Sequence, residues 1–257
     1  MFFKINSKIP LSEVFSDNFV DIHSHLLPGI DDGAKNLDNS IELIALMSSY
    51  GIKNFVTTPH VLGDVYPNSS ELIQQKAELL RQELQRRAMK DIKLQAAAEY
   101  MLDEKFLDRL SKNDILTISD NLVLVEMSYF NSPYNLYDIL FEIQLKGYKP
   151  ILAHPERYIF YHNDFQQYYK LKKAGCYFQL NFLSLTQHYG KSVKKTTQKI
   201  LDQGLYDFVG TDTHHINHVK LLKKIATKNT LKKIQGLIKR NESLKVCKTV
   251  KDNHFNT

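Results

Sequence analysis

The chain alternates short runs rich in apolar and β-branched residues with longer stretches whose apolar positions recur every three to four residues. The short runs are FVDIH near residue 21, NFVTT near 55, IKLQAAA near 95, LVLVEM near 124, KPILAH near 151, CYFQLN near 178 and YDFVGTD near 209, which makes seven candidate strands. The longer stretches read as helices. Residues 36–50 place Leu37, Ile41, Ile44, Leu46 and Met47 on a helical period and stop before Gly51. Ser69 and Ser70 open a charged helix that reaches Arg87, and the stretches 136–146, 165–174 and 192–203 stop at Gly147, Gly175 and Gly204. Strand, helix, glycine and next strand in repetition are the pattern of βα units around a parallel sheet. No linker, low-complexity tract or short repeat interrupts it. The expected architecture is therefore α/β, a single domain over residues 1–257 forming a barrel of about seven strands. An open doubly wound sheet is the alternative, but no G-x-G-x-x-G turn follows the first strand to favour it.

Composition narrows this only slightly. With 257 residues, 43% hydrophobic and 24% charged, the chain can bury a sizeable core. The first twenty residues hold no signal-peptide run, and no segment nears the eighteen or more apolar residues needed to span a bilayer, so the cytoplasm is the expected location. Cys176 and Cys247 are too few and too far apart for a disulfide framework or a thiolate metal site, and read as bystanders. The net charge of +6 is concentrated between Lys220 and Lys251. A basic helical segment over about 218–257, with Leu231, Ile234 and Ile238 on its buried stripe and the lysines in solvent, accounts for it. An anionic partner is the second reading of that segment.

The candidate chemistry lies at the ends of these strands. Strand one runs into His23 and His25, strand two into His60, strand three into Glu99, strand five into His154 and strand seven into Asp212 and His214. In a parallel barrel the C-terminal strand ends converge around the axis, so residues far apart in sequence meet there. Two residues spaced by one on an extended segment project to the same side, which lets His23 with His25, and Asp212 with His214, serve one ion. Glu99 has two oxygens and can bridge two cations. Imidazole and carboxylate without thiolate suit Mn²⁺, Fe²⁺ or Zn²⁺ and do not choose between them. Asp31 and Asp32, in the turn PGIDDG, read either as one further ligand or as turn and cap residues.

These segments resemble the polymerase and histidinol phosphatase superfamily, whose members open with an H-x-H strand and close with a D-x-H strand. DIHSHLLPGIDDGA, TPH, AAEY, AHPERY and GTDTHH look like its manganese-dependent bacterial tyrosine phosphatases of capsular and exopolysaccharide synthesis, over residues 21 to about 215. The resemblance implies a distorted seven-stranded barrel with three divalent ions, Mn²⁺ foremost. It assigns His23, His25, Glu99 and Asp212 to the first ion, Glu99 with His154 to the second, and Asp32, His60 and His214 to the third. Catalytic roles fall to Arg157, which would grip the substrate phosphate, and to His154 and Asp212. The bland alternative for Arg157 is a surface pairing with Glu156. The family's second arginine after the closing histidine is absent, leaving His215, His218 or Lys220 as stand-ins.

The implied activity is hydrolysis of phosphotyrosine by a metal-bound hydroxide, on a bacterial tyrosine kinase, with no stable nucleic-acid partner. The competing readings are a small-molecule phosphatase such as one for histidinol phosphate, a nucleic-acid phosphodiesterase using the basic C-terminal segment, and a metal-binding regulator without turnover. Residues 129–134, YFNSPY, either border the site entrance or are ordinary packing.

Overall fold

A computed structural model describes residues 9–246. Cys247 and the basic positions beyond 246 lie outside the described residues.

Among the described residues, nine short strands form two parallel sheets: β1 (Val20–Asp21), β2 (Asn54–Thr57) and β4 (Lys93–Ala96) in one, and β3 (His60–Val61), β5 (Glu99–Met101), β6 (Leu122–Glu126), β7 (Lys149–Ala153), β8 (Tyr177–Asn181) and β9 (Phe208–Gly210) in the other. Two of the expected strands are each split in half. The second breaks at Thr58-Pro59, where proline has no N–H to give the ladder, and the third breaks beside it at Ala97-Ala98. Backbone bonds carry the sheet across the break, from Ala97 N to Thr57 O at 2.9 Å and from Glu99 N to Pro59 O at 3.0 Å. At the other edge a parallel bridge pairs Ser24 with Thr213, so the sheet curls until the residues after β9 meet those after β1.

The helices are α1 (Leu37–Ser49), α2 (Ser70–Arg86), α3 (Glu104–Ser111), α4 (Leu136–Leu145), α5 (Gln166–Lys173), α6 (Gly190–Asp202), α7 (Ile216–Leu221) and α8 (Lys228–Glu242). Helices α1, α4, α5 and α6 stop just ahead of the expected glycines, and the Asn36 and Ser69 side chains cap α1 and α2 by accepting from Asn39 N and Leu72 N. The periodic reading missed α3, although Asp103 caps it by accepting from Phe106 N at 2.8 Å and Phe106 and Leu110 are its buried pair. On α8, Ile234 and Ile238 are buried and Leu231 packs against the core, while the basic stretch from 218 is divided between α7, which ends at Leu221, and α8, which begins at Lys228. Among the described residues no helix is long and apolar enough to cross a membrane.

Strand alternation divides the core into two layers. A small inner cluster contains Val20, Ile22, Val56, Leu124, Ile151, Ala153 and Phe208, whereas the intervening residues, among them Val123, Val125, Leu152, Phe178 and Val209, join the large cluster under the helices. The inner cluster fills the sheet's hollow, and the polar side chains that follow it in the strands crowd at the C-terminal mouth.

Candidate metal centre

Glu99 lies at the centre of the site, fully buried at the start of β5. Its Oε2 is 3.2 Å from His23 Nε2, 3.6 Å from His25 Nε2 and 3.1 Å from His60 Nδ1, while its Oε1 is 3.1 Å from His154 Nε2. Asp212 Oδ1 stands 3.4 Å from His23 Nε2 and 3.5 Å from His25 Nε2. Farther out, Asp32 Oδ1 is 3.6 Å from His60 Nε2 and 3.4 Å from His214 Nε2. Every sequence-predicted ligand thus falls in one cluster, graded from a sealed floor at Glu99, His23 and His25 to Asp32 at the open rim.

Outer residues fix the direction of the histidines. Gln179 donates its amide to Leu180 O, so its Oε1 faces His23 and accepts from Nδ1–H at 2.8 Å. His25 Nδ1–H donates to Asp31 Oδ2 at 2.8 Å. Both Nε2 atoms are thereby turned on the carboxylates and on each other, 3.4 Å apart. The two adjacent aspartates therefore divide the labour: Asp31 orients His25 and also accepts from Gly33 N and His60 N, whereas Asp32 faces the rim histidines. Asp21, fully buried, accepts from both the N–H and the hydroxyl of Thr211 and ties the end of β9 to β1.

Close approach and backbone strain accompany this convergence. A Cβ on Gly210 would sit 2.7 Å from His23 Cβ, and one on Gly33 would sit 2.3 Å from His25 O, so neither position admits a side chain. His154 and Asp212 both adopt positive φ, at 35° and 49°, an uncommon conformation that turns each side chain inward as its strand ends.

The donor set fits a cation. Both Glu99 oxygens, His60 Nδ1 and His154 Nδ1 are buried without a hydrogen bond of acceptable geometry, a costly state for a carboxylate unless positive charge faces it. Among the described residues, four overlapping groups have ligand atoms within 4.8 Å of one another: His25, Asp32, His60 and His214; His23, His154 and Asp212; His23, His25 and Glu99; and His60, Glu99 and Glu126. Burial opposes ionisation of Glu99, but the fields of His23 and His60 outweigh it and hold the carboxyl well below its ordinary value. Burial likewise opposes charge on His25, yet Asp31 beside it raises the imidazole to about 10. The same carboxylates that hold protons on these histidines give the pocket a field that favours positive charge.

Glu126 is the group that sequence reading missed. It is buried at the end of β6, with Oε1 2.9 Å from His60 Nδ1, and burial together with the Glu99 charge raises its pKa. Asn181 was missed as well; its amide donates to Asp212 Oδ2 at 2.7 Å.

Arg157 reaches the same carboxylate, with Nη1 2.8 Å from Asp212 Oδ2. Its guanidinium carbon lies 4.7 Å from the Tyr129 ring centroid and 4.2 Å from that of Tyr189. The alternative pairing of Arg157 with Glu156 is overturned: the Glu156 carboxylate turns into the interior, accepting from Asn181 N at 3.0 Å and Tyr206 OH at 2.9 Å. Of the stand-ins for a second arginine, His218 comes nearest, with Nδ1 3.3 Å from Asp212 O and the His215 ring tilted against it at a centroid distance of 3.8 Å, while Lys220 is exposed on α7.

Known proteins share this arrangement of strands. Tyrosine-protein phosphatase YwqE of Bacillus subtilis is 30% identical over 200 residues, covering 77% of this chain and 78% of its own. Tyrosine-protein phosphatase CpsB of Streptococcus pneumoniae is 29% identical over 204 residues, 77% of this chain and 84% of its own. A crystal structure from the work describing those two proteins as metal-dependent tyrosine phosphatases superposes with a TM-score of 0.73 at 25% identity, over 90% of this chain and 97% of that one. The family described as capsular polysaccharide synthesis, CpsB/CapC, matches residues 19–241, and with nearly the whole described fold inside that match the chain belongs to this family.

Proposed function

We propose that this chain is a divalent-cation-dependent protein-tyrosine phosphatase acting in capsular or exopolysaccharide synthesis, and that its substrate is a phosphorylated tyrosine kinase. The observation that carries the reading is the buried Glu99 and Asp212 cluster opening directly onto Arg157, which stands between two tyrosine rings. The tyrosine phosphatase names of the relatives favour it over histidinol phosphate or nucleic acid as substrate.

His23, His25, Glu99 and Asp212 would hold one cation, Glu99, His154 and Glu126 a second, and Asp32, His60 and His214 a third, with Mn²⁺ the first candidate and Fe or Zn the alternatives. When bound, such ions neutralise phosphoryl oxygens and lower the pKa of water. The chain's own contribution is positioning. Asp212 receives Arg157 and Asn181 on Oδ2, which fixes the guanidinium at the rim with donors left over for two phosphate oxygens. Tyr129 and Tyr189 flank that guanidinium and would give an aryl ester an apolar wall. A tyrosyl leaving group, with a pKa of about 10, departs with modest assistance.

We also read the chain as one domain whose halves β2 with β3, and β4 with β5, count as single strands of a distorted seven-strand barrel; the hydrogen bonds across the Thr58-Pro59 break support this. The test is metal analysis of the purified protein followed by assays on a phosphotyrosine peptide with each ion restored. Asp212→Ala and His154→Ala should abolish turnover of p-nitrophenyl phosphate in a folded protein. Full activity after chelation would refute the reading.

A further inference from the structure

The first residues after β6 leave the site and become an exposed apolar track. The Tyr129 ring stacks on His154 at 5.8 Å and borders Arg157, so it stands at the mouth. Phe130 is 90% exposed and Tyr134 fully exposed, and the track continues down α4 through Tyr137, Phe141 and Leu145, spaced by four on its outer face. The inner face of α4 is satisfied separately by Leu136, Ile139, Leu140 and Ile143, all buried. Monomer surfaces rarely carry so many contiguous large apolar side chains without a partner. Asp138 and Glu142 are exposed beside them, and neither makes an ion pair among the described residues.

We propose that this track docks the polypeptide substrate, binding the residues beside the phosphotyrosine through apolar side chains and at least one lysine or arginine. The inference rests on the phosphatase reading above. Continuity with the mouth selects the occupant: a chain whose phosphotyrosine enters beside Arg157 has Tyr129, and Phe130 next to it, along one side of its exit. The two unpaired acids select its charge. The ten residues of α4 span about 15 Å, the reach of about five extended residues, so the recognised segment is short.

The test uses twelve-residue peptides in two versions, one with Phe, Leu and Lys flanking the central residue and one with Gly and Ser. Anisotropy is read on fluorescein-labelled forms carrying non-hydrolysable phosphonodifluoromethyl-phenylalanine, and hydrolysis on the phosphotyrosine forms and on p-nitrophenyl phosphate. Mn²⁺-loaded wild type should bind the apolar, basic peptide about tenfold more tightly than the other. The exposed-site double variant Phe141→Ser, Leu145→Ser should lose that preference and keep wild-type turnover of p-nitrophenyl phosphate. Equal affinity in the wild type, or a preference that survives in the double variant, overturns the proposal. Light scattering that finds a wild-type dimer dissolved by the two substitutions, with no peptide preference, assigns the face to a second copy and overturns it as well. A peptide preference in a protein that hydrolyses none of the esters upholds the docking surface and sinks the phosphatase reading.

Discussion

Replacing Asp31 by alanine separates an orienting carboxylate from a simple turn former. The side chain is fully buried and accepts from His25 Nδ1 at 2.8 Å, Gly33 N at 3.0 Å and His60 N at 3.1 Å. Bonds to a charged acceptor are worth about 1.5–3 kcal/mol each, and with water at the partly exposed His60 side replacing one of the three the variant should be less stable by at least about 3 kcal/mol. At this chain length that lowers Tm by roughly 6–12 °C. The effect on cations is separate. With its Nδ1 partner gone, His25 loses both its tautomer and its ring orientation, and outer-partner losses of this kind weaken metal binding by about 10–100-fold. Asp31→Asn keeps an acceptor but not the charge, and should fall between wild type and alanine on both measures. Urea unfolding of the metal-free protein gives the first quantity, and calorimetric titration with Mn²⁺ gives the second. Destabilisation with wild-type cation affinity would show that Asp31 only shapes the turn and would refute the orienting role.

Three further outcomes follow from the same contacts. Arg157→Lys should lower kcat/KM on p-nitrophenyl phosphate by about a hundredfold with bound metal unchanged, because an ammonium offers no planar fork to hold between two rings; activity within threefold of wild type contradicts this. Burial pushes the Glu156 carboxyl up to about 7 from 4.5, so the folded state binds the extra proton between those values. Stability is then greatest below pH 4.5 on account of this group and falls by about 3 kcal/mol as the pH climbs to 7; Glu156→Gln should remove that slope in urea unfolding at pH 5 and pH 8. His25, raised to about 10, is protonated at pH 7.5, so cation uptake should release protons. Titrations in two buffers of different ionisation enthalpy should give different heats, and equal heats would count against His25 as a ligand.

What the chain disclosed in advance follows a physical division. The meeting of His23 with His25 was legible because it is local: spacing by one residue at a strand end places both side chains on one side, whereas His214 reaches Asp212, at 3.4 Å, from beyond a left-handed residue. Asp31 and Asp32 were not separable, since neighbours in a turn diverge according to which strand end the loop packs on, and His60 N, 29 residues away, helps settle it. The left-handed backbone at His154 and Asp212 is likewise imposed from outside, where Asp212 N meets His23 O at 2.7 Å. Glu126, Gln179 and Asn181 belong to a different class, because their signal was present and unused. In LVLVE, Glu126 shares parity with Leu124, which lies in the inner cluster, and in YFQLN, Gln179 and Asn181 share parity with Tyr177, which packs against that cluster. A polar residue on the inward parity at the last position of a parallel strand has nowhere to point except the mouth. That rule requires no homologue, and applied to all the strands it would have added Glu126 to the candidate ligands and Asn181 to the groups that bond Asp212 beside Arg157.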